Sequence, residues 1–152
     1  MQLAQTLDVI EALLRASGHP DIAEIERFDG ARTGMRVKYG TGSSGLLFGD
    51  DIRGEVEIGV PDSLPPFKRR APRTAILVLQ LLDAARPAEF RSWNLIALPS
   101  IGHDKDHISG LRIQCGDGGS FQLRVTGMGS QIPEPDEDPA LDYRIPADLR
   151  AS

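Results

Sequence analysis

Cysteine is nearly absent: Cys115 is the only one in 152 residues, so neither an intrachain disulfide nor a multi-cysteine metal site can form. That usage suits a reducing cytosol. Aromatic residues make up only 5% of the chain, too few to interleave with basic residues as stacking platforms for single-stranded nucleic acid. Positive charge is in deficit. Seventeen Lys and Arg against 22 Asp and Glu leave a formal net charge of −5, which disfavours sequence-independent binding to nucleic acid or to an anionic membrane. Long apolar runs are missing too, the longest being Ala75 to Leu79, far short of a membrane span. The N-terminal "MQLAQTLDVIEALLRASG" carries Asp8 and Glu11 and no basic leading region, so it does not read as a secretory signal. These absences point to a globular, cytoplasmic chain, and the abundance of Ala, Arg, Gly, Asp and Pro resembles the usage of GC-rich bacterial genomes.

What is present is enough apolar residue, 40%, to build one core without staples. Leu3, Leu7, Ile10 and Leu14 form an amphipathic stripe over 2–17, with Gly18 as a C-terminal stop and Pro20 behind it. "IAEIERFD" (22–29) reads as a strand, and "MRVKY" (35–39) and "GEVEIGV" (54–60) alternate as half-buried antiparallel strands. A second helix is expected over 72–86, starting at Pro72, apolar around most of its circumference and so largely buried. "WNLIAL" (93–98) suits a strand covered on both faces, while "LRIQC" (111–115) and "FQLRV" (121–125) flank a tight turn at Asp117-Gly118. The fold class is therefore α+β: an antiparallel sheet of six to seven strands with two helices on one face. The domain is expected over 1–130, followed by an acidic, Pro-rich tail at 131–152.

One stretch invites a stronger reading. Gly40-Thr41-Gly42-Ser43-Ser44-Gly45 matches G-x-G-x-x-G literally. A dinucleotide site needs a helix directly after the last glycine, its N-terminal amides aimed at the pyrophosphate. Here Gly49 and Gly54 interrupt the few residues before the next strand, which leaves no room for one. A P-loop fails too, because Leu46 and Leu47 stand where Lys and Ser/Thr are needed. The loop instead has a twin. Residues 34–49 and 110–125, at an offset of 76, share Gly34/Gly110, Arg36/Arg112, Gly40/Gly116, Gly42/Gly118, Ser44/Ser120 and Leu47/Leu123. Two half-repeats, 1–60 and 71–127, each helix–strand–hairpin, account for this; so does hairpin turn chemistry acting alone. Both explanations make the glycine-rich loop a hairpin turn, and no cofactor is expected.

Two clusters remain as candidate sites. His103, Asp104, Asp106 and His107 crowd into one loop with donor types that suit zinc or another divalent ion. Lys68, Arg69, Arg70 and Arg73 form a basic cluster at a helix N-terminus, where positive charge opposes the dipole and calls for an anionic partner. That partner is either another molecule or the chain's own acidic knot, Glu134, Asp136, Glu137 and Asp138. No G-x-S-x-G nucleophile motif occurs, and Cys115 falls on the inward side of an alternating strand. The expected function is a non-catalytic intracellular protein-binding module, of the inhibitor, immunity-like or accessory kind, with a partner that an acidic surface would favour as basic. The alternatives are a small metal-dependent enzyme built on the 103–107 loop and, third, a structural assembly subunit.

Overall fold

The computed structural model describes residues 1–50, 56–61, 64–65, 69–97, 108–129, 134–135 and 137–150. Helix α1 (Leu3–Ala16) is followed by strands β1 (Ile22–Asp29), β2 (Thr33–Tyr39), β3 (Ser44–Gly49) and the short β4 (Val56–Ile58). Helix α2 (Arg70–Ala85) then precedes β5 (Phe90–Ala97), β6 (Ile108–Cys115) and β7 (Ser120–Met128). The strands form a single antiparallel sheet in the order β1-β2-β3-β7-β6-β5-β4. The α+β class and the strand count expected from sequence both hold. Boundaries moved: α2 begins at Arg70 rather than Pro72, and of the strand expected over 54–60, residues 54–55 lie outside the described residues and Val56–Ile58 is regular.

The helices share one face of the sheet because the alternating strands present their apolar side there. Leu7, Ile10 and Leu13 of α1 and Ile76, Leu79 and Leu82 of α2 meet Met35, Val37, Leu47, Leu111, Ile113 and Leu123 in one core. Each fully buried Leu or Ile contributes roughly 1.5–3 kcal/mol by leaving water. Helix α1 stays amphipathic, with Arg27 of β1 reaching Asp8 at 2.7 Å and Glu11 at 3.3 Å on its outer surface. Helix α2 is buried nearly all round, as its sequence requires. Among the described residues no helix is long and apolar enough to cross a membrane.

The two hairpin turns match bond for bond. Tyr39 N–H donates to Ser43 O and Gly42 N–H to Tyr39 O; at the same offset of 76, Cys115 N–H donates to Gly119 O and Gly118 N–H to Cys115 O. Gly42 and Gly118 sit at φ 93° and 95°, a conformation that L side chains rarely adopt. The correspondence extends to the helices at an offset of 68. Gly18 and Arg86 both end their helices in the left-handed region, and β1 and β5 carry the same irregularity, between Ile22 and Glu24 and between Phe90 and Ser92. Phe48 pairs with Arg124, its own counterpart, so a local two-fold axis passes between β3 and β7. Among the described residues strand β4 has no counterpart in this arrangement.

The C-terminal segment lies against the domain. Leu149 is buried in the common core, Ile145 packs on it, and Tyr143 Oη donates to Ser17 O at 2.7 Å. Apolar side chains at Ile145 and Leu149 give the segment something to bury.

Candidate functional site

The N-terminal end of α2 gathers the polar groups that the sequence singled out, and brings them to the hairpin turn between β2 and β3. Three donors converge on one oxygen. Arg70 Nε at 2.7 Å, Thr41 Oγ1 at 2.7 Å and Ser43 Oγ at 2.6 Å all donate to Glu134 Oε1. Arg70 Nη1 donates to Asp21 Oδ2 at 2.5 Å, and the guanidinium lies 4.3 Å from the centroid of the Tyr39 ring. Beneath it, the Tyr39 hydroxyl is hydrogen-bonded to Thr74 Oγ1, which also donates to Arg70 O at 2.7 Å. Gly45 permits this approach, since a Cβ there would stand 2.2 Å from Thr74 Oγ1.

One helical turn further on, Arg73 Nη2 donates to Asp138 Oδ2 at 2.9 Å and its Nη1 to Pro65 O at 2.8 Å. Both arginines are buried, at 5% and 6% exposure, and such burial is tolerable only because carboxylates and carbonyls accept their hydrogens. The carboxylates also answer the α2 dipole. Of the two partners the basic cluster called for, these two arginines have the chain's own acidic segment. Arg69 and Glu137 are exposed. Lys68 and Asp136 lie outside the described residues, as does the whole His103, Asp104, Asp106 and His107 quartet. Among the described residues no group of three or more His, Cys, Asp or Glu is placed to hold a metal ion.

Burial and bonding set the ionisation here. Burial opposes the charge on Glu134, but Ser43, Thr41 and Arg70 overcome it and hold the carboxyl below its ordinary range. Asp138 is likewise lowered, burial being outweighed by the Ala140 amide and Arg73. Burial drives the Tyr39 phenol up to about 12, with Thr74 and Arg70 pulling the other way. His19 packs against Tyr143 with ring centroids 4.4 Å apart and accepts from Asp21 N–H through Nδ1 at 3.1 Å. Burial lowers its pKa although Asp21 and Asp138 favour the cation.

Beside this cluster an open groove of about 1040 Å³ runs along the outer side of α2, between the 60–65 segment and residues 138–145. Val60, Leu64, Leu77 and Ile145 line it, together with Leu141, which is 69% exposed. His19, Asp21, Thr41, Ser43 and Tyr143 were not among the expected site residues. Thr41 and Ser43 carried a signal, as hydroxyls spaced two apart inside a glycine turn; Asp21 and Tyr143 reach the cluster only through tertiary structure. Cys115 is buried as expected, its Sγ 3.9 Å from Thr6 Oγ1.

The fold and site together define a two-layer α+β protein with an intramolecular ionic clasp and an adjoining apolar groove. No protein-family model matches the chain, and searches of curated proteins and of solved structures returned no match.

Proposed function

We propose that this chain is a non-catalytic protein-binding module that receives an apolar segment of its partner in the groove along α2. The observation that carries the reading is Leu141: a large apolar side chain, 69% exposed, on the lining of an open groove whose neighbours Val60, Leu64, Leu77 and Ile145 are also apolar. An exposed apolar side chain beside an apolar groove is a common mark of an interaction site. The ionisable groups nearby are paired internally, Arg70 with Asp21 and Glu134 and Arg73 with Asp138, which suits a structural clasp better than turnover. The overall charge of −5 favours a partner with basic residues flanking its apolar ones, so encounter is expected to slow as salt rises.

The test is site-specific photo-crosslinking in cells, with the reactive group at Leu141 and, as control, at Gln114 on β6. One protein captured at 141, absent at 114 and lost in Leu141→Asp, is the expected outcome. Equal capture at both positions, or none at 141, would sink the reading. Crosslinks only between copies of this chain would favour the assembly-subunit alternative.

A further inference from the structure

The clasp has the construction of a receptor and a plug. Thr41, Ser43 and Arg70 are set by bonds that do not involve Glu134. The two hydroxyls lie 3.2 Å apart in a turn fixed by the positive φ of Gly42. Arg70 is held by Asp21 at 2.5 Å, by Thr41 Oγ1 at 3.3 Å through Nη2, and by the Tyr39 ring. All of these belong to the sheet, to α2 or to the turn before β1. Glu134 follows β7 in the chain; its neighbours Pro135 and Glu137 are exposed, while the Glu134 side chain is only 10% exposed. A single carboxylate is thus inserted from the surface into a prearranged ring of donors.

We infer that Thr41, Ser43 and Arg70 form a carboxylate-binding site which Glu134 fills in cis, and which accepts the carboxylate of another molecule in its place. The chemistry favours a carboxylate over a bulkier anion. The three donors meet on one oxygen at 2.6–2.7 Å, and Asp21, already at Arg70, would repel the compact double charge of phosphate more than the single charge that one carboxylate brings into the site. The same chemistry is offered by a glutamate or aspartate side chain of a protein and by a small free carboxylic acid. This inference is independent of the groove, which takes an apolar segment on the other side of Arg73.

Glu134→Ala removes the plug and leaves the donors. Its unfolding midpoint is expected to rise by roughly 3–6 °C at a carboxylate concentration about ten times Kd, with acetate, glutarate and a capped glutamyl peptide as probes and chloride as the ionic-strength control. Wild type should show a smaller carboxylate-specific rise that needs higher concentration, since the probe must first displace Glu134. Adding Thr41→Val and Ser43→Ala to Glu134→Ala should weaken probe binding about tenfold or more. If Glu134→Ala does not fold alone, recovery of the folded state on adding acetate or glutarate is the same readout. Tighter binding of the peptide than of glutarate assigns the natural source to a protein segment, and the reverse assigns it to a small acid. Failure of every carboxylate to stabilise the variant beyond chloride overturns the inference, as does equal stabilisation by inorganic phosphate. The Leu141 crosslinking result does not bear on either outcome.

Discussion

Thr74 Oγ1 bridges two structures, donating to Arg70 O within α2 at 2.7 Å and sharing a hydrogen bond with the Tyr39 hydroxyl from β2. It does so above Gly45, where there is no room for a Cβ. Gly45→Ala should therefore destabilise by about 1–3 kcal/mol through overpacking. Thr74→Ala removes the oxygen it would strike. The two changes together should cost less than their sum, read as a coupling in urea unfolding; strict additivity would show that the helix can shift to make space.

The Tyr39 phenol is the alkaline limit of the fold. Unfolded, it ionises near 10; folded, burial holds it neutral to about 12. The folded state binds the extra proton, so this stabilisation is intact below pH 10 and is lost as pH climbs through 12, on the order of 2–3 kcal/mol in all. Tyr39→Phe should flatten that alkaline decline while costing about 1 kcal/mol at pH 7 for the lost hydrogen bond. Chemical unfolding across pH 8–12 checks both.

On the acid side, His19, Glu134 and Asp138 all have lowered pKa values. The unfolded chain then binds more protons than the folded one, so stability is lost as pH falls. The loss from His19 begins near its ordinary 6.5, and that from the carboxylates follows below their ordinary 4.5 and 3.8. His19→Asn keeps an acceptor for the Asp21 amide but cannot titrate. It should remove the first step, between pH 7 and 5, and leave the second. A variant that retains both steps would exclude His19 as their source.

Arg73 and Asp138 hold the acidic segment to α2 with side chains only 8% and 14% exposed. Asp138→Asn leaves a buried guanidinium without its counter-charge and should cost about 3 kcal/mol. Replacing both, as Arg73→Met with Asp138→Leu, should recover much of that loss, because the desolvation penalty disappears along with the pair. Urea unfolding of the three variants measures it, and a double variant as unstable as the single one would show that the pair itself holds the segment.

Much of this architecture was legible because its signals are local. The alternation of Met35, Val37 and Tyr39 fixed which face of β2 is inward, and the glycines of "YGTGSSG" and "CGDGGS" marked two hairpin turns. The basic cluster at the start of α2 announced a need for carboxylates from the dipole alone. What sequence could not supply was which ones. Asp21 and Glu134 lie far from Arg70 along the chain, and no periodicity links them. The match between the helices was hidden for a different reason. It runs at an offset of 68 while the hairpins run at 76, since β5 and β6 are separated by more residues than β1 and β2. Thr6 and Thr74, which occupy equivalent places, do not fall in register at the offset of 76 that aligns the hairpins.

Those two threonines also show how the halves depend on each other. Thr74 of the second half reaches Tyr39 in the first, and Thr6 of the first half reaches Cys115 in the second. Each helix thus begins over the hairpin of the opposite half, and both contribute to one core. Each helix also packs on strands of its own half, α2 on β5, β6 and β7 and α1 on β2, and the shared core joins the two sets of contacts. The molecule should therefore unfold in a single cooperative step, with no stable half-domain on the way, and separately produced halves should gain structure only when mixed.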